Sequence, residues 1–209
     1  SEWTNASTFY PQRSWVDVSD GVRGLAVINN GLTEYELYDD EARTIGLTLL
    51  RCTGRLSGCG ETADAIKTPG AQCIGTYSSE YAILPHAGKW DQAHIWQAAH
   101  QHNTPLTCLQ IGRHDGDLPA EHSFVEVTPP ELVVSAVKKA EDRDSLIVRF
   151  YNIRAKNIHD AQVRVPSAVA ARTVNLNEEP GSELLIRPDG SVVINVPSRK
   201  IATLEFDLA

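Results

Sequence analysis

The sequence predicts an all-β protein built of antiparallel β-sandwiches with one short helix. Turn residues recur about once every ten residues over most of the 209-residue chain, a spacing typical of short strands joined by tight turns. The segments between the turns are rich in Val, Ile, Leu and Tyr, which favour strands. One segment has the three- and four-residue spacing of an amphipathic helix.

The first part of the chain is predicted to form an antiparallel meander. Strands are expected at 13–18, 24–28, 32–38, 44–51, 76–84, 106–111 and 123–127. Asn29-Asn30-Gly31 is a strong hairpin signal between the second and third of these strands. The helix is expected at 91–102, with Asp91 as its N-cap and Pro105 just beyond its end.

The second part of the chain is denser in strands. They are predicted at 132–137, 146–151, 161–165, 169–176, 184–186, 192–196 and 201–206, enough for a small sandwich of their own. Pro129-Pro130 separates the two parts. We therefore predict two domains, a β region at 1–127 and a small C-terminal β-sandwich at 128–209.

The stretch from 44 to 86 contains the most unusual pattern of the chain. The strand at 44–51 is apolar on both faces, which predicts burial on both sides. It ends in Arg51, and a long loop containing Pro69-Gly70-Ala71-Gln72-Cys73-Ile74-Gly75 follows. A loop longer than a turn requires, next to a charged strand end, is typical of a functional loop.

Composition and charge exclude several classes of protein. The net charge of −8 argues against a general nucleic-acid binder or a basic membrane-surface protein. There is no apolar run of about 18 residues to span a membrane, and the first residues lack the features of a signal peptide. The chain contains no methionine, so we expect a processed, tagged or excised piece.

The cysteines are Cys52, Cys59, Cys73 and Cys108, and none of them forms a C-x-x-C pair of the kind found in zinc sites. We expect reduced thiols, as in a cytoplasmic protein. The alternative is a bridge between Cys73 and either Cys52 or Cys59.

Glu34 and Glu36 lie two residues apart on a predicted strand, so they share a face at a separation of about 7 Å. Paired carboxylates near that distance can catalyse glycoside hydrolysis. The pattern is more typical of a solvated strand face with Tyr35 packed inward.

His94, His100 and His102 lie on the predicted helix and raise the question of a metal site. Their spacings of six and two residues make them diverge around the helix axis, whereas ligands on a helix need spacings of three or four. Asp115 and Asp117 resemble part of a calcium loop whose other ligands are missing. The sequence also lacks the common nucleophile, phosphate-binding and zinc-protease motifs.

Arg51 and Gln72 are the strongest candidates for ligand binding. A guanidinium and a carboxamide together offer several donors to neighbouring sugar hydroxyls. The alternative is structural, with Arg51 paired to a carboxylate at the core edge and Gln72 capping its own loop.

An ordered series of segments runs along nearly the whole chain. They are R-S-W-V-D-V-S-D-G (13–21), G-L-A-V-I-N-N-G-L-T-E-Y-E (24–36), L-T-L-L-R (47–51), P-G-A-Q-C-I-G (69–75), E-Y-A-I-L-P-H (80–86), N-T-P-L (103–106), R-F-Y-N (149–152) and V-N-L-N-E (174–178). In order and spacing the series resembles the C-terminal part of glycoside hydrolase family 38, the retaining α-mannosidases. The 69–75 segment is most similar to the bacterial, cytoplasmic branch.

The resemblance implies a zinc-dependent α-mannosidase whose catalytic groups lie outside this stretch. The zinc ligands, aspartate nucleophile and acid/base carboxylate of the family belong to an N-terminal barrel, and its H-x-D pattern is absent here. No residue of this chain therefore inherits a catalytic or metal-binding role. The resemblance assigns Arg51, Gly70 and Gln72 to substrate binding at the rim of the mannose pocket.

The resemblance also implies that the chain begins partway through the family's large galactose-mutarotase-like sandwich. Open sheet edges and apolar faces would follow, and we expect self-association or dependence on the rest of the enzyme. The expected partner is an α-mannoside bound through the missing catalytic domain, with no nucleic acid and no membrane. The alternatives are a stand-alone carbohydrate-binding sandwich and a purely structural module.

Overall fold

The computed structural model describes residues 9–56 and 66–209. The chain divides into two compact units, one ending at Ile111 and the other beginning at Gly112. All the strand pairs in the described residues are antiparallel. The predicted mostly-β fold with one short α-helix is confirmed.

The described residues of the first unit form eight short strands and the helix. The strands are β1 (Phe9–Pro11), β2 (Trp15–Ser19), β3 (Arg23–Asn30), β4 (Glu34–Leu37), β5 (Ile45–Leu47), β6 (Arg55–Leu56), β7 (Ile66–Lys67) and β8 (Glu80–Ala87). The helix α1 spans Ile95–Asn103, and a 3₁₀ turn spans Pro69–Gln72. The sheets have the orders β2-β3-β8, β1-β4-β5 and β6-β7.

The helix packs against β3 and β2. Ala26 and Ile28 of β3 and Ile95, Trp96 and Ala99 of the helix are buried together in this unit. Because side chains alternate along a strand, Ala26 and Ile28 lie on one face of the sheet. The buried side of the helix, with Ile95, Trp96 and Ala99, therefore packs against the sheet.

The connection at Asn29-Asn30-Gly31 differs from the predicted hairpin. It joins β3 to β4, which belong to different sheets, so the two strands do not pair. The Asn29 side chain is fully buried, and its Oδ1 accepts a hydrogen bond from the Leu32 backbone N–H at 2.9 Å. The prediction was wrong because Asn and Gly reveal a turn in the backbone but not the sheet that the chain enters next.

The predicted burial of the strand at 44–51 on both faces was wrong. Only Ile45–Leu47 forms a strand, and Leu49 and Leu50 are 52% and 55% exposed. The strand β5 lies at the edge of its sheet, and among the described strands it pairs with β4 alone. Apolar composition predicted a core strand that this part of the chain does not enclose.

Two other local predictions also differ from the structure. Residues 106–111 form no strand, and Leu106, Leu109 and Ile111 are exposed, because no described segment pairs with them. The helix begins at Ile95 with His94 in the N-cap position, rather than at Asp91. His94 has a left-handed backbone at φ 52°, which separates the helix from the turn before it.

The second unit contains the other eight strands. They are β9 (Glu126–Thr128), β10 (Leu132–Lys139), β11 (Leu146–Asn152), β12 (Ile158–Arg164), β13 (Ala168–Val174), β14 (Pro180–Leu184), β15 (Ser191–Val196) and β16 (Ile201–Leu208). They form one sheet ordered β10-β11-β16-β13-β14 and another ordered β15-β12-β9. Val148, Phe150 and Phe206 from the first sheet and Val163 and Val192 from the second share one buried core, as in a sandwich.

The strand β9 pairs with β12 of the second unit. The structure thus groups Glu126–Thr128 with the C-terminal strands, whereas the predicted boundary at 127/128 divides this strand. The reason is a pairing between residues far apart in sequence, Gln162 opposite Thr128 and Arg164 opposite Glu126.

A buried ionic network joins the turn between β10 and β11 to the strands β13 and β16. Glu205 is fully buried and accepts from Arg143 Nε at 2.6 Å and Arg172 Nε at 3.0 Å. The Ser145 hydroxyl also donates to it at 2.5 Å. Burial raises the pKa of Glu205, but these hydrogen bonds and the positive charges outweigh that effect and lower the pKa to about 2.

Candidate functional site

Arg51 lies beyond the end of β5 and projects a largely exposed side chain. The side chain is 76% exposed, and its Nη1 donates to Glu34 Oε2 at 3.3 Å. The structural alternative considered for Arg51, pairing with a carboxylate at the edge of the core, is therefore present in this unit. The exposure leaves most of the guanidinium open to a ligand.

Glu34 is held in place by the neighbouring strand. The Thr48 hydroxyl donates to Glu34 Oε1 at 3.1 Å, and the Thr48 backbone N–H donates to the Glu34 carbonyl at 3.1 Å. The side chain of Glu34 is 27% exposed. The contacts with Thr48 and Arg51 hold this carboxylate in a partly buried position.

These residues line a small cleft of about 150 Å³. Its walls are formed by Gly31, Leu32, Thr33, Glu34, Thr48, Leu49 and Arg51. The crossover from β3 to β4 forms one side, and the segment after β5 forms the other. The wrongly predicted hairpin thus contributes to the geometry of the site.

The loop at 69–75 is anchored to the segment that follows Arg51. The Thr68 backbone N–H donates to the Gly54 carbonyl at 3.0 Å, and the Thr68 hydroxyl donates to the Thr53 carbonyl at 3.2 Å. The strands β6 and β7 pair just beyond this point. One stretch of backbone, 51–55, therefore carries Arg51 and also supports the loop.

The 3₁₀ turn at Pro69–Gln72 begins with the Ala71 N–H bonded to the Thr68 carbonyl at 3.0 Å. Proline at its first position fits because its fixed φ suits the start of a helical turn. Cys73 closes the turn in the left-handed region at φ 47°. The short turn fixes the backbone position of Gln72 in the loop.

Gln72 Nε2 lies against the backbone of Gly54. A Cβ atom at position 54 would come within 3.0 Å of this nitrogen, so glycine leaves the space that Gln72 occupies. Within the described residues, the Gln72 carboxamide forms no hydrogen bond with the loop, unlike the cap considered from the sequence. Gly70 has open space around it, with no heavy atom within 4 Å of an added Cβ.

The structure places the three predicted substrate-binding residues on neighbouring segments, but in the described part of the chain no hydrogen bond joins their side chains to one another. Arg51, Gly70 and Gln72 lie on two segments fastened to each other through Thr53 and Gly54. The guanidinium itself is bonded to Glu34. Across residues 9–56 and 66–209, no hydrogen bond links Arg51 to Gln72.

The other sequence candidates do not assemble into a site. Among the described residues, no group of three or more His, Cys, Asp and Glu side chains is placed to hold a metal ion. His94 occupies the N-cap position without a side-chain capping hydrogen bond, and the His102 Nε2 is buried without a hydrogen-bond partner in the described structure. His94 and His102 therefore lie in different environments and do not form one site.

Cys52, Cys73 and Cys108 carry free, exposed thiols. The bridge considered between Cys52 and Cys73 is absent, and the Cys73 sulfur contacts the Gly70 carbonyl at 3.9 Å. Cys59 lies outside the described residues.

The structure contains a buried pair that the sequence did not reveal. His86 Nε2 lies 2.6 Å from Asp17 Oδ1, and the two side chains are only 6% and 5% exposed. Gly24 pairs with His86 in the sheet, and a Cβ on Gly24 would come within 2.4 Å of His86 Cε1. Glycine within a strand signals such a close approach, so Gly24 was the available clue.

The described part of the chain contains no helix long and apolar enough to cross a membrane.

Comparison with known proteins places these features in a family. Residues 131–204 match the model of the glycosyl hydrolases family 38 C-terminal beta sandwich domain. A protein of Halalkalibacterium halodurans named "Putative mannosylglycerate hydrolase" is 27% identical over 99% of this chain, which spans 22% of that protein. Human alpha-mannosidase 2C1 is 30% identical over 69% of the chain and is matched along 12% of its own length.

A solved structure gives the same relationship. An alpha-mannosidase from Enterococcus faecalis with a known crystal structure is 30% identical in sequence to this chain, and the two structures superpose with a TM-score of 0.77. The match covers 98% of this chain and 22% of the Enterococcus chain. The chain is thus a C-terminal β-sandwich region of glycosyl hydrolase family 38, homologous to bacterial proteins of the α-mannosidase and mannosylglycerate hydrolase type.

Proposed function

We propose that this region belongs to a retaining, zinc-dependent α-mannosidase and completes the rim of its mannose pocket without supplying the catalytic groups. The observation that carries the proposal is the match to an alpha-mannosidase structure along 98% of this chain. That match covers only 22% of the Enterococcus protein, which leaves room for a separate catalytic domain. Hydrolysis of terminal α-mannosides is the activity proposed for the whole protein.

The chemistry of Arg51, Gly70 and Gln72 supports a role in sugar binding. Arg51 has five N–H donors, and one of them is engaged by Glu34. The Gln72 carboxamide offers two donors and an acceptor. The open space at Gly70 lets a sugar ring approach the backbone closely.

The residues described here do not fit a zinc site, because no group of three or more potential ligands converges among them. We therefore assign no metal-dependent step and no nucleophile to this chain. In the proposal, those groups come from the catalytic domain.

The apolar surface of the first unit supports packing against another protein surface. Leu25, Tyr81 and Ile83 are exposed large apolar side chains on the sheet β2-β3-β8. Leu25 and Ile83 also border a cleft of about 940 Å³. In the proposal, the rest of the enzyme or a second copy of the chain covers this surface, since exposed apolar patches are typical of interfaces.

A cytoplasmic location completes the proposal. The free thiols of Cys52, Cys73 and Cys108 are typical of a reducing compartment.

The experiment that tests the proposal compares this chain with the complete polypeptide encoded at its genomic locus. Both are assayed with an aryl α-mannoside in the presence of zinc. We expect hydrolysis by the complete polypeptide and none by the 209-residue chain. Turnover by this chain alone, or no turnover by the complete polypeptide, would contradict the proposal. Saturable mannoside binding by the chain alone would favour a stand-alone carbohydrate-binding module instead.

A further inference from the structure

We propose that Glu34 is a positioning residue that, with Arg51, forms a charge-neutral subsite for a pair of neighbouring sugar hydroxyls and disfavours anionic substrates. This inference rests on the proposed function, because it assumes that the cleft beside Arg51 faces the mannose pocket.

Glu34 is the best-anchored polar group of the cleft. Its carbonyl accepts from the Thr48 N–H at 3.1 Å and from Gln12 Nε2 at 3.4 Å. Its carboxylate accepts from the Thr48 hydroxyl at 3.1 Å. The strand β4 fixes the backbone, and Thr48 fixes the carboxylate.

Arg51 has no comparable anchor of its own. It lies beyond the last residue of β5, and its one described hydrogen bond is the 3.3 Å contact with Glu34. A long, 76% exposed side chain samples many rotamers unless a partner restricts it. Glu34 is therefore the group that holds the guanidinium over the cleft.

The pair offers both halves of the hydrogen bonding that a diol needs. Each carboxylate oxygen accepts more than one hydrogen bond, and the guanidinium retains unused N–H donors. One sugar hydroxyl can donate to Glu34 while its neighbour accepts from Arg51. The cleft of about 150 Å³ is small, so in this inference it takes one edge of a sugar ring rather than the whole ring.

The charge of the pair determines which substrates suit this subsite. Glu34 and Arg51 cancel, so a neutral diol meets no net charge. A carboxylate or phosphate bound to Arg51 would lie close to the like charge of Glu34, which disfavours it. The pair therefore selects neutral mannosides against anionic ones such as mannosylglycerate.

An exposed ion pair often has little effect of any kind, so the test needs a readout that simple stabilisation does not change. We choose the ratio of kcat/KM for a neutral aryl α-mannoside to kcat/KM for mannosylglycerate. Both values come from one preparation of the complete enzyme. The fraction of correctly folded protein therefore cancels.

The variant is Glu34→Gln, which keeps the shape of the side chain and removes its charge. We expect kcat/KM for the neutral substrate to fall about 5- to 10-fold, mainly through KM, as is typical when one member of a charged hydrogen-bonded pair is lost. We expect kcat/KM for mannosylglycerate to hold or rise, so the ratio shifts about tenfold toward the anionic substrate. Glu34→Asp should restore part of the original ratio.

The matched control is Glu131→Gln in the second unit. Arg154 Nη1 contacts Glu131 Oε1 at 2.8 Å, and the two side chains are 45% and 17% exposed, so the pair resembles Arg51–Glu34 in type and setting. This variant should leave the ratio unchanged.

Three outcomes separate the inference from the proposed function. An unchanged ratio in Glu34→Gln, with reduced activity in Arg51→Ala, overturns the inference and leaves the proposed function intact. Unchanged activity toward both substrates in Arg51→Ala contradicts the proposed rim itself. If Glu34→Gln does not fold, Thr48→Val, which removes the hydroxyl bonded to Oε1, must shift the ratio in the same direction by a smaller factor, and no shift overturns the inference.

Discussion

Arg51 Nη1 donates to Glu34 Oε2 across 3.3 Å, and this contact joins the segment after β5 to the start of β4. The contact fixes an exposed guanidinium at the mouth of a small cleft. The same segment continues into Gly54, whose carbonyl holds the loop at 69–75 through Thr68.

Gly54→Ala should impair substrate binding without unfolding the protein. The new Cβ would lie 3.0 Å from Gln72 Nε2, and the flexible end of Gln72 can move away at little cost. We expect kcat/KM of the complete enzyme to fall to about the level of Gln72→Ala, with the Tm changed by less than about 2 °C.

The control for this substitution is Gly112→Ala, since no heavy atom lies within 4 Å of a Cβ at Gly112. It should match the wild type in activity and in Tm. Full activity in Gly54→Ala would show that the position of Gln72 does not matter to the reaction.

Gly24→Ala should destabilise the first unit. The added methyl group would come within 2.4 Å of His86 Cε1 and 2.7 Å of Ser19 Cβ, and overpacking of this kind costs about 1–3 kcal/mol. The buried His86–Asp17 pair cannot shift without losing its hydrogen bond. The measurement is urea unfolding followed by tryptophan fluorescence, because all the tryptophans of the chain precede Ile111.

The double variant Gly24→Ala/His86→Ala tests the cause. If the clash with His86 is responsible, the two substitutions cost less together than the sum of their separate effects. Strict additivity would show that the cost of Gly24→Ala arises elsewhere.

Glu205 should make the second unit sensitive to acid. Its pKa in the folded protein is lowered to about 2 from an ordinary value of 4.5. The ionised carboxylate therefore stabilises the fold fully above about pH 4.5, and that contribution is lost as the pH falls toward 2. By linkage the loss is about 3 kcal/mol.

Glu205→Gln removes this contribution and leaves Arg143 and Arg172 without their buried partner. We expect a loss of about 3–5 kcal/mol at pH 7 and a difference from the wild type that shrinks below pH 4.5. Urea unfolding followed by far-ultraviolet circular dichroism gives both values. Glu183→Gln is the control, since Glu183 is an exposed partner of Arg172 at 3.9 Å. A difference that stays constant from pH 7 to pH 2 would contradict the assignment.

The chain by itself should self-associate through the exposed face of the sheet β2-β3-β8. Ile83 is 60% exposed there, and burying one such side chain contributes about 1.5–3 kcal/mol. Ile83→Lys should weaken association about tenfold or more, as measured by sedimentation velocity over a range of concentrations. Leu185→Lys, at an exposed position of the second unit, should have little effect. Sedimentation of the unmodified chain as a single monomer would count against the prediction.

Local sequence patterns predicted the fold class well because turns and strand periodicity are local properties. Most strands of the second unit were anticipated, and their core follows the alternation of apolar residues such as Val148 and Phe150. The strand β14 was misplaced, because it spans Pro180–Leu184 whereas the prediction was 184–186. The pairing of β3 with β8 was not anticipated. Asn29-Asn30-Gly31 specifies a turn, but it does not specify which strand pairs with β3. The predicted strand at 106–111 does not form for a related reason, since apolar residues form a strand only where a neighbouring strand can pair with them.

The residues of the candidate site stay a prediction from the sequence, and their contacts could not be predicted. Arg51 and Gln72 were identified through the family resemblance, whereas the Glu34 partner of Arg51 depends on how β4 and β5 pair. The His86–Asp17 pair joins residues 69 positions apart. Contacts of this kind require the register of three strands, which no local pattern encodes.

The most direct test of the central claim is the kcat/KM of Arg51→Ala for an aryl α-mannoside in the complete enzyme, measured beside Arg154→Ala. Arg154 is an exposed arginine with a comparable carboxylate partner in the second unit. If Arg51 lines the mannose pocket, losing its charged hydrogen bonds lowers kcat/KM about tenfold or more, while Arg154→Ala retains wild-type activity. Equal activity of the two variants, with both folded, would contradict a role for this region in the pocket.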